Sequence, residues 1–491
     1  MILDVAARRA ELTPERRALW WQGAWFSYAE LNDRAARAAA ALAAAGVKRG
    51  DRVSILAHNH IAHIDLILAS AKAGFSYAPL NARLAAPEQR AMTEYLRPTV
   101  LLHDTEAAVK AAATGVPLWS LDEHEARLAA AATDLPPVDL DPEDIQMILP
   151  TGGTTGLPKG AMLPYRQGFY NAVNTVMSWG LNDDDCVVQA TPCYHAAVNA
   201  FTTPLFSLGG KVVLQSTFDP AEYFDLVAEC GVTILFLVPT MFKMLADHPA
   251  FATADLSGIR WAISGGASCP QPVREEFAAR GVAFRQGYGL TEAGVNCFSI
   301  TTDQAAQRPW SVGKPIMHAR AVVRGPDGAP CRPGETGELT LAGEHVFAGY
   351  FDRPQATAEV LRDGWLWTGD LARVDDEGFF AIVGRRKEMF VSGGENVFPI
   401  EVEGAIYDHP AVAECAVIGV HDERWGEVGL AVVVLRPGAA VTEEGIKAHL
   451  RGRVASYKVP KYVRFAAELP KSAAGKVLKQ SLVPPDLGAA P

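Results

Sequence analysis

The stretch Pro150-Thr151-Gly152-Gly153-Thr154-Thr155-Gly156-Leu157-Pro158-Lys159-Gly160 concentrates glycine, threonine and a lysine. Glycines let main-chain N–H groups approach a ligand closely, threonines add hydroxyl donors, and Lys159 adds a positive charge. Phosphate oxygens suit such a set. The Walker pattern is excluded, because it needs Gly before the Lys and Ser or Thr after it, whereas Pro158 and Gly160 stand there. Taken alone, the stretch is equally a flexible Gly/Thr surface loop. The apolar run Ile145-Gln146-Met147-Ile148-Leu149 before it reads as a strand. A strand that delivers a loop is where open α/β sheets place ligands.

Further segments carry specialised chemistry. Pro192-Cys193-Tyr194-His195 and Ser264-Gly265-Gly266-Ala267 each follow an apolar run. Gln286-Gly287-Tyr288-Gly289-Leu290-Thr291-Glu292 combines glycines, an aromatic ring, a hydroxyl and a carboxylate. Trp365-Leu366-Trp367-Thr368-Gly369-Asp370 ends in an acid, and Gly384-Arg385-Arg386-Lys387-Glu388 leads to Ser392-Gly393-Gly394-Glu395-Asn396. Pro470-Lys471-Ser472-Ala473-Ala474-Gly475-Lys476 lies near the end. Each has a plainer reading by itself. Glu292 is equally a helix-cap acid, Asp370 a turn acid, Tyr288 or His195 a core ring, and Lys476 a solvated lysine.

These segments need a scaffold, and the pattern supplies one. Ser27-Tyr28-Ala29-Glu30 fits a capping box, and Leu31, Ala35, Ala38 and Leu42 keep helical spacing as far as Gly46. Strands at 53–56, 99–103, 186–190, 211–215, 232–238 and 260–264 alternate with helices near 61–72, 166–179, 219–230, 239–247 and 271–280. Such alternation predicts α/β architecture with parallel sheets under helices. After Arg320 the texture turns to short strands and tight turns at Pro326-Asp327-Gly328 and Asp375-Asp376-Glu377-Gly378, which predicts a smaller β-rich subdomain. The last module has a helix over 399–408, strands at 414–420 and 429–435, a helix over 443–455 with Ile446, Leu450 and Val454 on one face, and a strand near 462–466. The expected division is a large N-terminal domain, 1–385, of βαβ subdomains plus the β-rich one, and a small α+β C-terminal domain, 386–491.

The chain has 491 residues, 49% of them hydrophobic and 21% charged, with a net charge of −11. Large cores are affordable. An acidic field disfavours nucleic acid as a partner. The cysteines at 186, 193, 230, 269, 297, 331 and 415 form no Cys-x-x-Cys pair and are odd in number, so reduced thiols in a cytoplasmic protein are expected. The charged N-terminus does not suit a signal peptide, and no apolar run approaches membrane-spanning length.

Together, from about residue 13 to 480, the segments resemble the adenylate-forming superfamily of acyl-CoA synthetases, luciferases and peptide-synthetase adenylation domains. The resemblance implies a mobile C-terminal domain and two steps. A carboxylate attacks the α-phosphorus of ATP, giving acyl-AMP and pyrophosphate; the thiol of coenzyme A then attacks the acyl carbonyl and AMP leaves. It implies that Thr151, Gly153, Thr154, Thr155, Gly156 and Lys159 hold phosphates and that Thr291 donates to the α-phosphate. Glu292 would hold Mg²⁺, a hard cation suited to carboxylate and phosphate oxygens. Tyr288 would stack on adenine, with Gly266, Ala267, Gln286 and Gly287 at its edges. Asp370 would accept from the ribose hydroxyls, Arg385 would reach ribose or phosphate, and Lys476 would clamp the charge developing at the α-phosphate. Lys387 matches the interdomain hinge, and Ser392, Gly393 and Gly394 the pantetheine tunnel. His195 would line the carboxylate pocket and move between steps. The familiar phosphate loop reads Thr-Ser-Gly-Thr-Thr-Gly; Gly152 here removes one hydroxyl. Lys471 stands where Arg is frequent.

By position in that family, Tyr194, His195, Val238, Pro239, Gly265, Gly266 and Leu290 form the acid pocket. No charged residue among them can pair with an α-amino group, which favours a fatty or aryl carboxylate over an amino acid. The expected partners are that acid, ATP and CoA, and a homodimer stays open. The alternatives are a stand-alone enzyme loading a carrier protein, a luciferase-like oxygenase and a catalytically dead acyl binder.

Overall fold

The computed structural model describes residues 1–133, 135–151, 158–471 and 477–482. Gly152, Gly153, Thr154, Thr155, Gly156 and Lys476 therefore lie outside the described residues.

The expected capping box opens the helix Tyr28–Ala44. Ser27 Oγ accepts from the Glu30 amide at 3.2 Å, and Glu30 returns a carboxylate oxygen to the Ser27 amide at 2.7 Å. Such a cap contributes about 1 kcal/mol. Leu31, Ala35, Ala38 and Leu42 are all buried, as their spacing requires.

One seven-stranded sheet runs Phe284–Gln286, Trp261–Ser264, Ile234–Leu237, Cys186–Gln189, Lys211–Leu214, Arg17–Trp21 and Ala24–Ser27. All neighbours are parallel except the last pair. The helices Pro220–Cys230, Pro239–Asp247 and Gln271–Ala279 bury Tyr223, Phe242 and Phe277 in one core with this sheet.

A second seven-stranded sheet runs Gly349–Tyr350, Lys159–Pro164, Ile145–Thr151, Ser76–Tyr77, Arg52–Leu56, Val100–His103 and Leu118–Ser120. The strand expected before the glycine–threonine stretch forms, but the chain beyond that stretch returns antiparallel as Lys159–Pro164, with Thr151 opposite Lys159. The glycine–threonine stretch is thus flanked by an antiparallel strand pair. Asn59 ties the two sheets together. Its amide donates to the carbonyls of Gln189, Thr191 and Gln215 at 3.3, 3.1 and 3.0 Å, and its oxygen accepts from the Cys193 amide at 2.7 Å.

The β-rich part is a five-stranded sheet of Arg320–Arg324, Gly337–Ala342, Trp365–Val374, Leu361–Arg362 and Phe380–Arg385, all antiparallel. In the Asp375–Gly378 turn, Asp375 Oδ1 accepts from the amides of Glu377 and Phe379 at 3.0 and 2.8 Å. Beyond the turn, a register shift between Leu371 and Ala372 sets Asp370 opposite Arg385.

A further five-stranded sheet, Glu395–Val397, Phe390–Ser392, Gly426–Leu435, Val412–Asp422 and Tyr462–Phe465, packs under the helices Pro399–Tyr407 and Glu443–Leu450. The second helix stops at Leu450 rather than near 455. Gly452 takes a φ of +82°, which a right-handed helix cannot contain. Val454 still packs on the Ile446–Leu450 core, so its apolar spacing reflected a shared core and not a shared helix.

The cysteines are unpaired, and all but Cys331 are buried. Among the described residues no helix is long and apolar enough to cross a membrane.

Candidate active site

Four parallel strands of the first sheet, Cys186–Gln189, Ile234–Leu237, Trp261–Ser264 and Phe284–Gln286, end on the same side. The segments singled out from sequence follow those ends: Tyr194-His195, Val238, Gly265-Gly266-Ala267 and Gly287-Tyr288. Carboxyl ends of parallel strands are where such sheets bind ligands.

The Tyr194 and His195 rings meet at a 58° tilt with centroids 4.8 Å apart, and Tyr194 is buried. A Cβ added at Gly265 would lie 2.8 Å from the Phe236 ring, so the glycine lets that ring fill the wall beside it. Phe236 in turn packs against Phe201 at 5.1 Å. An aromatic pair thus stands behind Gly265.

The 287–292 segment folds tightly. A Cβ at Gly289 would sit 2.1 Å from the Val295 carbonyl oxygen, so only glycine fits. Cys297 donates its amide to the Tyr288 carbonyl at 3.0 Å, and Gln167 donates to the Thr291 carbonyl at 3.3 Å. Tyr288 Oη donates to Asp370 Oδ2 at 2.6 Å, and the Tyr288 ring meets Phe298 edge-on at 5.7 Å. Burial, and then the neighbouring Asp370 charge, push the Tyr288 hydroxyl well above the usual phenol range, so it stays a donor. Arg385 Nε lies 3.2 Å from Asp370 Oδ1. The Asp370 amide donates to Thr368 Oγ1 at 3.1 Å, and that hydroxyl donates to the Leu339 carbonyl at 2.7 Å.

Glu292 sits next to a residue that no motif flagged. Tyr350 Oη donates to Glu292 Oε1 at 2.8 Å, and Lys159 Nζ stands 4.9 Å from the centre of the Tyr350 ring. Phe347 donates its amide to the Glu292 carbonyl at 2.8 Å. Burial raises the Glu292 carboxyl above the ordinary value; the Tyr350 hydrogen bond and, further off, the Arg385 charge oppose that shift. Lys387 stands in the 3₁₀ turn Arg386–Glu388 and keeps an exposed surface. Burial lowers its ammonium below the ordinary value, then Arg385 does, with Asp370 and Lys159 also within electrostatic reach.

Lys159, Tyr350, Glu292, Tyr288, Asp370, Arg385 and Lys387 are therefore brought together, with Thr151 across the strand pair from Lys159. Two further segments are placed as follows. The Gln286 carboxamide is engaged by Ser268 at 3.0 Å and by the Pro309 carbonyl at 2.7 Å, so its side chain is committed to the fold. Ser392, Gly393 and Gly394 form a β-hairpin end in the C-terminal sheet, with φ of +60° and +87° at the glycines, and Gly393 lies against Trp425. Tyr350, Phe236 and Asn59 were missed because each acts through partners far away in the chain.

Comparison with known proteins identifies the family. Residues 6–351 match the model of the AMP-binding enzyme family and residues 401–476 that of the AMP-binding enzyme C-terminal domain. The chain is 42% identical over 479 residues to a feruloyl-CoA synthase of an Amycolatopsis species, covering 96% of both. It is 36% identical to the indoleacetate–CoA ligase of Aromatoleum aromaticum, covering 97% of this chain and 96% of that one. The o-succinylbenzoate CoA synthetase of Bacillus subtilis, solved with its acyl-adenylate intermediate, superposes with a TM-score of 0.90 at 30% identity over 99% of each chain. The chain belongs to the AMP-binding enzyme family, in its acyl- and aryl-CoA synthetase branch.

Proposed function

We propose that this CoA ligase activates an aryl-substituted carboxylic acid, a hydroxycinnamate-like acid first, through acyl-AMP to the CoA thioester. The tilted ring pair Tyr194–His195 and the Phe236 ring against Gly265 support this reading. Flat rings pack well against other rings. The names of the relatives, feruloyl, indoleacetate and o-succinylbenzoate, point the same way. A fatty acid is the second reading, because the pocket set by Gly265 and Gly266 also suits an alkyl chain.

In the first step Lys159 and the main chain beside it hold the terminal phosphates, while Asp370 and Arg385 hold the ribose. Tyr288, its ring fixed by the bond to Asp370, offers a face to adenine. The acid carboxylate forms a bond to the α-phosphorus and the bond to pyrophosphate breaks, with Lys476 and Thr291 stabilising the added charge. In the second step the CoA sulfur bonds to the acyl carbon and AMP departs with the bonding electrons of the C–O bond.

Magnesium fits Glu292: a partly buried carboxylate whose charge is under-compensated suits a cation that takes one protein carboxylate and completes its shell with phosphates and water. Bound there, it would neutralise the leaving pyrophosphate. Lys387 serves as the hinge about which residues 386–491 turn between the steps. The hairpin at Ser392-Gly393-Gly394 then meets the pantetheine arm.

The test is pyrophosphate release over cinnamic, indole-acetic, benzoic and fatty acids, with and without CoA. A hydroxycinnamate is expected to give the highest kcat/KM, by at least about tenfold over a C8–C12 fatty acid, since even one misfitting methylene in an apolar pocket is worth roughly 1–3 kcal/mol. A preference for the fatty acids would overturn the aryl reading. Release of pyrophosphate without any acyl-CoA would point instead to loading of a carrier protein.

A further inference from the structure

The segment holding Lys476 is anchored at both ends by described residues. Before it, Lys471 pairs with Glu414 at 2.7 Å. After it, Val477 forms an antiparallel bridge with Lys471, and Leu478 donates its amide to the Pro470 carbonyl at 2.8 Å. Val477 and Leu482 pack on the Leu469 side of the C-terminal sheet. Lys479 then reaches two carboxylates at once: Glu403 Oε1 at 2.7 Å, on the helix Pro399–Tyr407, and Glu388 Oε2 at 3.1 Å. Glu388 is the residue immediately after Lys387.

We propose that Lys479 is a positioning residue: by joining Glu388 and Glu403 it fixes the segment carrying Lys476 to the first residue beyond the Lys387 hinge, so both turn as one rigid body. This rests on the two-step reading above, and it adds how the lysine is carried. Lys479 touches no substrate. Its side chain is only 20% exposed and the two acids are 35% and 15% exposed, so the link is shielded from solvent and is not an ordinary surface pair. Burial works against the Lys479 charge, but Glu403 and then Glu388 outweigh it, and the ammonium is held above its usual value. Without Lys479, the two carboxylates would face the same space with no cation between them. The C-terminal foot of the segment would then lose its tie to the hinge while keeping the Lys471–Glu414 foot. A lysine that must reach the α-phosphorus is sensitive to such loosening: a displacement of about 1 Å at a reacting centre costs roughly 10²-fold.

The two half-reactions separate this role from general destabilisation. Lys479→Met is compared with Lys479→Arg, Lys476→Ala and the unmodified enzyme, well below the melting temperature. One assay follows single-turnover acyl-adenylate formation from ATP and acid. The other follows thioester formation from supplied acyl-adenylate and CoA, a step that does not use Lys476. Lys479→Met is expected to slow adenylate formation by about 10–100-fold while thioester formation changes less than threefold, and Lys479→Arg to restore most of the loss. A fall in folded fraction would lower both rates alike. Equal loss in the two assays, or no loss in either, overturns the inference. If Lys476→Ala slows adenylate formation and Lys479→Met does not, the positioning role alone falls. If Lys476→Ala leaves adenylate formation intact, the two-step assignment falls and the inference with it.

Discussion

Glu292→Gln is expected to lower kcat by about 10²–10³-fold while raising thermal stability at neutral pH. The two effects have one cause. The Glu292 carboxylate is desolvated, and the Tyr350 hydroxyl at 2.8 Å returns only part of what water would supply. Its carboxyl is therefore raised above the ordinary value, first by burial. For a carboxyl raised on folding, the folded state prefers the proton. Stability from that preference is fully present below the unfolded value and is lost as pH rises through the folded one. At neutral pH the ionised Glu292 is thus a net cost, one that a magnesium ion would relieve. Glutamine keeps the carbonyl oxygen that accepts from Tyr350 and removes the charge, so the variant should be more stable by about 0.5–2 kcal/mol at pH 7–8. The gain should shrink towards zero as pH falls below the carboxyl's folded value. Melting temperatures of both proteins across pH 4–8, without and with millimolar magnesium and ATP, check the sign. Added magnesium and ATP should stabilise the unmodified protein more than the variant. A variant that is less stable at pH 7 and at pH 4 alike would show that Glu292 is a structural acid.

Part of this arrangement can be read along the chain. Asp370 and Arg385 flank a turn whose Asp375 and Gly378 are conspicuous, so a hairpin that brings them near one another is legible; counting outward pairs Asp370 with Gly384, and only the register shift between Leu371 and Ala372 sets it opposite Arg385. The capping box at Ser27 and Glu30 is local and is read with equal ease. Tyr350 illustrates what local pattern cannot carry. Its hydroxyl meets a carboxylate 58 positions earlier, because the edge strand Gly349–Tyr350 pairs with Lys159–Pro164. That pairing between distant segments has no periodicity to announce it. Asn59 likewise meets its partners 130–156 residues further on. The helix expected to run to 455 fails for a different reason. Apolar residues at helical spacing record that they share a core, and Val454 does share it, but the chain reaches that core by a left-handed turn at Gly452. Gln286 was placed by its neighbourhood in the chain, yet the loops around Ser268 and Pro309 claim its side chain.

Asp370→Ala is expected to raise the KM for ATP by about 10²–10⁴-fold, with a smaller change in kcat. The carboxylate is nearly buried, 6% exposed, and already accepts from Tyr288 on one oxygen while facing Arg385 on the other. An ionised carboxylate has about four acceptor positions, so two stay available for the ribose hydroxyls without displacing either partner. Each hydrogen bond to a charged group contributes roughly 1.5–3 kcal/mol, and two of them set the expected range. These contacts hold the nucleotide alike before and during bond making, which is why the loss falls on KM. Alanine also frees the Tyr288 hydroxyl, so the ring that faces adenine loses its fixed orientation, and Arg385 loses its anion. Asparagine separates those effects: it can still accept from Tyr288, so Asp370→Asn should lose less than Asp370→Ala. Ribose recognition itself is isolated by 2′-deoxy- and 3′-deoxy-ATP. The unmodified enzyme should discriminate against each by about 10-fold or more, and Asp370→Ala should treat them nearly as it treats ATP, since a contact already removed cannot be removed again. If the variant kept its full preference for ATP over the deoxynucleotides, the ribose would be bound elsewhere. Asp370 would then be an acid that orients Tyr288 and Arg385, and no more.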